Sequence, residues 1–263
     1  MFLLKRVFVF LLFLGLLLPG ICFAGISVEP SKQEVIMKHE ETFKDYFTVY
    51  NDSQDTVTIT VSDRDWFILP ENRQKGLTSS SFLTASPTFF MLLPGAQGRL
   101  DYEIKIPTYT VGSNVSMVSF TMGSASGVST RVSASVSVSA QDTEKLSWEI
   151  LDLVLRPTPD TKVVTASLTI GNKGNVYVRP EGKLELTGPD GIKCVFNFDE
   201  DKPVYPGLDR ALFANSEGCS LVPGEYKASV VLDSWSGYKA WHQTKKKKFK
   251  IKVSQDKSIE MIP

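Results

Sequence analysis

Apolar residues alternate with polar ones along most of the chain after residue 24. In 128–138, valine or alanine occupies every second position from Val132, and serine fills the positions between. The stretches 57–62 and 100–106 repeat the pattern. In a strand, successive side chains point to opposite faces, so apolar residues at every second position share one face. An amphipathic helix instead needs an apolar residue every three or four positions. No stretch of about 12 residues shows a comparable helical pattern, so the chain is predicted to be all-β.

The alternating segments fall into two blocks, separated by the polar stretch 141–145. Block one covers 25–140 and block two covers 146–254, followed by a tail at 255–263. Each block is close to the roughly 100 residues of an immunoglobulin-like β-sandwich. The sequence therefore predicts two immunoglobulin-like β-sandwich domains in tandem, joined by a linker at 141–145.

Pro-Gly pairs recur just before predicted strands, at 94–95, 206–207 and 223–224. Proline presets the first central position of a type II turn and glycine accepts the positive φ of the second. Tyr226 follows the last pair at the place of the tyrosine that braces a corner of immunoglobulin-like domains. The stretch 208–214 fits a short helix or a strand equally well.

The first 24 residues have the features of an export signal. Lys5 and Arg6 precede the apolar stretch 7–18, and the small residues Cys22 and Ala24 suit cleavage after residue 24. The apolar stretch is shorter than the about 20 residues that a membrane-spanning helix needs. The sequence therefore predicts a periplasmic or extracellular protein with a cleavable signal peptide and no transmembrane helix in the mature chain. An uncleaved N-terminal anchor is the alternative.

Removal of the signal leaves two cysteines, Cys194 and Cys219. Thiols tend to pair in an oxidising compartment. A bridge would close a loop of about 25 residues and stabilise the fold by about 3 kcal/mol. Two buried free thiols are the alternative, because the pair lacks the close spacing of redox-active cysteines.

The charge and the motif content exclude several classes of function. The chain has 29 Lys+Arg and 29 Asp+Glu, and a nucleic-acid binder normally carries a basic excess. The only histidines are His39 and His242, one in each block. No nucleophile, phosphate-loop or metal motif is present. The chain is predicted to be non-enzymatic, with no catalytic residue, cofactor or metal site and no nucleic-acid partner.

The order of segments in block one is more specific than any single motif. An opening strand at 26–30 is followed by the segments 46–51 (an apolar strand that ends in asparagine), 56–66, 92–95, 99–106 and 112–122. In this order and spacing, block one resembles the N-terminal domain of PapD-like periplasmic pilus-assembly chaperones. Block two, through 174–182 and 221–226, is similar to the second immunoglobulin-like domain of chaperone-like envelope proteins.

The resemblance implies a non-enzymatic protein that acts in cell-envelope or pilus-type assembly and binds a protein subunit by strand addition at a sheet edge. Pilus chaperones grip the C-terminal carboxylate of a pilin with an arginine on the first strand and a lysine on the last. Here the first strand offers Lys32, and 112–122, in the place of the last strand, contains no basic residue. The two-cation anchor is therefore not expected.

The segment 112–122 is the candidate partner-binding strand, because it is apolar on both faces. Val118 and Phe120 share one face, and Val115 and Met117 lie on the other. Such a strand can pack inward and still present residues to an added strand. The alternative is a hairpin with 128–138, which still leaves Met117 on the outside.

An alternative function is a surface or matrix component that binds carbohydrate in block two. Trp235, Tyr238 and Trp241 surround a predicted turn, and aromatic faces could stack on a polysaccharide. Packing of these rings across the sandwich end is the other interpretation. The tract Lys245–Lys248 fits either an anionic envelope surface or a solvated strand whose lysines deter edge pairing.

Overall fold

The structure is a computed structural model that describes residues 25–123, 129–157, 163–199, 202–236, 241–256 and 258–262. The predicted signal peptide lies outside these ranges. The predicted all-β class is confirmed: the described residues form many strands and only short helices.

The elements of the first block are β1 Ile26–Glu29, β2 Lys32–Met37, β3 Thr42–Asn51, β4 Val57–Phe67, α1 Pro70–Gln74, α2 Ser79–Phe82, β5 Leu83–Ser86, β6 Phe89–Leu92, β7 Gln97–Lys105, β8 Ser113–Gly123 and β9 Ser129–Ala140. Those of the second are β10 Trp148–Pro157, β11 Val163–Asn172, β12 Arg179–Thr187, a 3-10 turn Pro189–Gly191, β13 Lys193–Asp199, β14 Asp209–Glu217, β15 Gly224–Ser236, β16 Trp241–Val253 and β17 Ile259–Ile262. The ambiguous stretch 208–214 thus falls mostly in a strand.

The first sandwich packs a four-stranded sheet, in the order β1-β3-β7-β5, against a five-stranded sheet, in the order β2-β9-β8-β4-β6. The apolar residues of each alternating strand face the space between the sheets. Phe47 of β3 and Phe120 of β8 meet there edge to face, with ring centroids 5.7 Å apart. The serines of β9 lie on the opposite, outer face, because successive side chains alternate across a strand.

The first strand region divides between the two sheets of this sandwich. β1 pairs with β3, and after Pro30 the chain crosses over so that β2 runs parallel to β9. β2 covers β9 only from Ser135 to Ala140. The first half of β9 is therefore paired with β8 on one side alone.

The second sandwich packs the sheet β10-β11-β14 against the sheet β13-β12-β15-β16-β17. The predicted disulfide is present: Cys194 on β13 is bonded to Cys219, just after β14, with Cα atoms 5.5 Å apart. It therefore joins the two sheets. The corner tyrosine is confirmed as well, since the buried Tyr226 hydroxyl donates to the Val222 carbonyl at 3.0 Å.

Each sandwich contains a buried asparagine at the end of a long strand, Asn51 at the end of β3 and Asn172 at the end of β11. Asn51 donates from its side-chain amide to the carbonyls of Leu92 and Leu93, and Asn172 donates to that of Val204. Both thereby hold the Pro-Gly turn region that precedes the next strand. A buried amide is stable only when it is hydrogen-bonded, which explains why an asparagine ends both apolar strands.

The hydrophobic residues form two separate cores, one from Ile26 to Ala140 and the other from Trp148 to Val253. The predicted linker at 141–145 lies between them in sequence. The domain boundaries themselves stay a prediction.

Loss of the disulfide should weaken the second sandwich. Replacing Cys194 and Cys219 together by serine removes the disulfide that cross-links its two sheets, and we expect the free energy of unfolding to fall by about 2–4 kcal/mol. Denaturant unfolding monitored by tryptophan fluorescence measures the loss. Two alkylated thiols in the non-reduced native protein would contradict the bridge.

Candidate functional site

The predicted partner-binding strand is not at a sheet edge. β8 lies between β9 and β4, and it pairs with β9 from Ser113 to Gly123, so the alternative hairpin is the correct interpretation. Val118 and Phe120 are fully buried in the first core, and Val115 is buried as well. These three side chains cannot meet an added strand. Met117 is half-exposed on the outer face.

The last strand of the first sandwich is β9, not 112–122. The expectation that the last strand lacks a basic residue was therefore wrong, because β9 carries Arg131. Its guanidinium Nε donates to the Thr121 hydroxyl at 3.1 Å. Arg131 lies four residues from Ser135, the residue that pairs with Lys32, so about 13 Å of strand separates the two cations.

The first half of β9, Ser129–Ala134, is an open sheet edge, which we call the edge segment. The backbone N–H of Ser135 donates to the Ser31 carbonyl across the sheet edge at 3.0 Å. N–H groups of a strand alternate in direction with a period of two, so those of Arg131 and Ser133 point to the same side. No described strand pairs with them there.

The outer face of the five-stranded sheet carries two neighbouring rows of side chains, each aligned across β2, β9, β8 and β4. The first, which we call the exposed row, consists of Lys32, Ser135, Met117 and Arg64. The second, the covered row, consists of Glu34, Ser137, Val115 and Phe67. Two residues along a strand separate the rows, or about 7 Å.

The second sandwich contacts the covered row at both ends. At one end, an Arg179 guanidinium nitrogen lies 2.6 Å from a Glu34 carboxylate oxygen, and the guanidinium also packs over the Tyr177 ring. The Glu34 side chain is only 6% exposed and that of Arg179 17%. Between the two ends, Val115 is 1% exposed although it lies on the outer face.

Lys32 joins this ion pair from the exposed row, with its Nζ atom 3.0 Å from the same Glu34 oxygen. Burial by itself raises the pKa of Glu34, but the Arg179 charge and hydrogen bonds from Lys32, Arg179 and Tyr177 outweigh it and hold the pKa below its ordinary value. Burial, followed by the Glu34 charge, raises the pKa of the Tyr177 hydroxyl far above its usual range. The carboxylate is thus ionised and shared by two cations.

At the other end of the covered row, a bulge in β4 at Trp66 makes Phe67 rather than Trp66 face Val115. Phe67 stacks on Tyr205 of the second sandwich at a centroid distance of 4.7 Å. The exposed Trp66 donates from its indole nitrogen to the Tyr205 hydroxyl at 3.2 Å. The extra residue of the bulge therefore gives β4 two contacts with one tyrosine.

The predicted linker is also held by both sandwiches. The Asn175 side chain accepts from the Lys145 backbone N–H and donates to the Thr143 carbonyl, and the Asn175 carbonyl accepts from the Ser113 N–H. Gly112 has a φ of +56°, and a Cβ there would lie 2.1 Å from the Asn175 carbonyl oxygen. The close approach of the two sandwiches thus requires glycine at 112.

Next to this contact, the exposed row leaves a surface that combines Lys32, the apolar Met117 side chain and the exposed Arg64. It adjoins the edge segment of β9, because Ser135 belongs to the row. Sequence analysis identified Lys32 and Met117. It missed Arg64, Arg179 and the edge segment, since strand alternation does not reveal which strands are neighbours.

The aromatic residues proposed for carbohydrate do not form a common platform. Trp235 pairs with His242, and Trp241 pairs with Ser236, so the two indoles belong to opposite faces of the β15–β16 hairpin. Tyr238 lies outside the described residues. Trp235 stacks against His242 at 4.1 Å and donates to the Glu181 carboxylate. The predicted three-ring stacking surface is therefore wrong for its two described members.

The two histidines have separate environments. His39 donates to the Thr110 carbonyl at 2.7 Å, and His242 contacts Asp233 in the other sandwich. Within the described ranges, no three histidine, cysteine or acidic side chains cluster as metal ligands would. None of the helices in that part of the chain is long and apolar enough to cross a membrane.

Comparisons with known proteins show a likeness of fold. No protein-family model matches the chain, and no curated protein matches it by sequence. Among solved structures, it is similar to the YadV chaperone, with 12% identity and a TM-score of 0.48 over 85% of this chain and 99% of that one. It is also similar to the CupB2 chaperone of Pseudomonas aeruginosa, with 14% identity and a TM-score of 0.43 over 81% and 96%. The E. coli chaperone DraB gives 11% identity and a TM-score of 0.42 over 85% and 96%.

Removal of Arg179 should destabilise the protein in a pH-dependent way. Arg179→Met leaves the buried Glu34 carboxylate without its main partner, and we expect a loss of about 3 kcal/mol at neutral pH. The Glu34 pKa lies below its ordinary value of 4.5 in the folded protein. The stability contributed by the ion pair is therefore present above that pH and lost as the pH falls through the lowered pKa.

Denaturant unfolding at neutral pH and near pH 4 tests this, with Glu34→Gln/Arg179→Met as the matched double variant. The double variant should recover part of the loss, since no uncompensated charge remains. An equal loss in the single variant at both pH values would contradict the account.

Proposed function

We propose that this chain is an exported, non-enzymatic protein that binds a protein subunit of the cell envelope or of a pilus-type fibre by strand addition to the edge segment of β9. One observation carries the proposal: half of β9 is an open edge beside a row of exposed cationic and apolar side chains. An added strand would satisfy the outward N–H and C=O groups of Arg131 and Ser133, as in other strand-addition complexes.

The side chains of the exposed row would contact the end of the added strand and recognise its chemistry. A chain that continues along the edge segment toward Ser135 meets Lys32 on β2, which blocks further pairing because β2 occupies the edge from there on. Met117 lies two strands inward of Lys32, about 10 Å away, and offers an apolar contact. Arg64 lies one strand further and supplies a second cation.

The predicted export signal and the disulfide agree with this use, since a bridge between Cys194 and Cys219 suits an oxidising compartment. We therefore place the protein in the periplasm or outside the cell. The buried ion pair between Glu34 and Arg179 and the hydrogen bonds of Asn175 to the linker support a role in which the second sandwich holds the covered row, next to the exposed row, in a fixed position. The proposed role is binding and assembly, without a chemical step.

Ser133→Pro should weaken partner binding while leaving the fold intact. Proline removes the N–H that faces the open edge, not one directed at β8, so the β8–β9 ladder keeps its hydrogen bonds. A partner carbonyl left unpaired costs about 1–3 kcal/mol, so the affinity for the subunit, and with it capture from an envelope extract, should fall by about fivefold to a hundredfold. Quantitative mass spectrometry of the captured proteins measures it.

Ser133→Ala is the matched control, because it loses the same hydroxyl, which bonds to Ser119, but keeps the N–H. It should bind like the wild type. β6 forms the opposite edge of the sheet, and its Met91 side chain is 67% exposed. Met91→Lys therefore tests whether the partner binds at that edge instead. Loss of capture in Met91→Lys together with normal capture in Ser133→Pro would assign binding to β6 and contradict the proposal.

A further inference from the structure

The strand β16 carries six lysines between positions 245 and 252, and its two faces use them differently. Lys247 lies on the side of the core, where its Nζ atom donates to the carbonyls of Ile150 at 2.7 Å and Leu151 at 3.1 Å. These carbonyls lie at the irregular position of β10. Lys247 therefore links β16 to β10 of the opposite sheet.

The even-numbered lysines lie on the opposite face of the strand from Lys247. Lys246, Lys248 and Lys250 are exposed on the outer face, at intervals of about 7 Å along the strand. Directly across the ladder they face Val231, Ser229 and Lys227. This list contains no acidic residue, and Lys227 adds a further positive charge. We call this surface of β15 and β16 the lysine face.

Among the described residues of β15, β16 and β17, the acidic side chains lie at the two ends of the lysine face. On the next strand, β12, Glu185 faces Ser229, and its carboxylate is paired with Lys183. Lys252 is paired across the ladder with Glu225 on one side and Glu260 on the other. At the opposite end, Asp233 accepts hydrogen bonds from Thr244 and His242. The chain as a whole has a formal net charge of zero. The lysine face is therefore a local segregation of positive charge rather than a consequence of a basic protein.

An aromatic side chain lies on the same face, beyond Asp233. Trp235 is half-exposed and belongs to the face of the even-numbered β16 residues, because it pairs with His242. Trp side chains favour the headgroup region of a membrane, where the ring is partly apolar and the indole N–H can be hydrogen-bonded. A row of flexible cations next to such a ring on an open sheet surface is suited to a broad, flat anionic partner.

We propose that the lysine face docks onto a membrane surface of anionic phospholipid headgroups. Each lysine near such a surface contributes attraction that falls off over a Debye length. The docking is therefore peripheral and is weakened by salt. It places the second sandwich at the membrane and is independent of the proposed strand addition, which uses β9 of the first sandwich.

Flotation with vesicles tests the proposal on the protein purified from expressing cells, with its N-terminus established by intact mass. One set of vesicles is pure phosphatidylcholine, and the other contains about one third phosphatidylglycerol. We expect binding to the anionic vesicles in low salt. Lys246→Gln/Lys248→Gln should weaken it by about tenfold or more, since two cations leave the surface.

Lys44→Gln/Lys105→Gln is the matched control, because it removes two exposed lysines from the first sandwich and the same formal charge. It should bind like the wild type, and all variants should share one melting temperature within a few degrees. Any contribution from the N-terminus is common to both pairs of substitutions and cancels in the comparison.

Three results would overturn the proposal. The first is equal binding to neutral and anionic vesicles, and the second is an equal loss in the two double variants. The third is retention on soluble polyphosphate under salt conditions in which the anionic vesicles no longer bind, since this would assign the lysine face to a soluble polyanion. Unchanged capture of the envelope subunit by Lys246→Gln/Lys248→Gln would keep the two sites distinct.

Discussion

The contact between Glu34 and Arg179 determines how the rest of the site is arranged. A carboxylate that is almost fully buried is stable only when a cation and hydrogen bonds compensate its desolvation. Arg179 supplies the cation from the second sandwich, at 2.6 Å. The ion pair therefore ties the second sandwich to the outer face of the five-stranded sheet, at the covered row. The stacking of Phe67 on Tyr205 secures the other end of that row.

The position of this contact decides which residues stay available. The second sandwich covers the row of Glu34 and Val115 and leaves the row of Lys32 and Met117 half-exposed. Because the chain crosses from β1 to β2, the open half of β9 ends at this exposed row. An unpaired backbone edge and a set of recognition side chains thus lie next to each other, on a surface whose geometry the linker contacts of Asn175 hold in place.

Several features could be predicted from the sequence because each depends on local chemistry. Alternation identified β8 and β9 as strands. Because the predicted mature chain has only two cysteines, the predicted export to an oxidising compartment allowed a single pairing, Cys194 with Cys219. The neighbours of a strand are a different matter. Val118 and Phe120 have the pattern of a two-faced strand, but a period of two does not tell whether the strand is central or at an edge. Glu34 and Arg179 meet only through the tertiary fold, and the opposite orientation of Trp235 and Trp241 depends on the hairpin register.

The central claim is that a partner chain pairs with the open half of β9. Hydrogen exchange of backbone amides, measured residue by residue with and without the captured subunit, tests it most directly. The account predicts that the Arg131 and Ser133 amides exchange readily in the free protein and become protected in the complex, while amides that pair β9 with β8 are protected in both states. Unchanged exchange at Arg131 and Ser133 in the complex, with new protection at Phe89–Leu92 of β6, would contradict it.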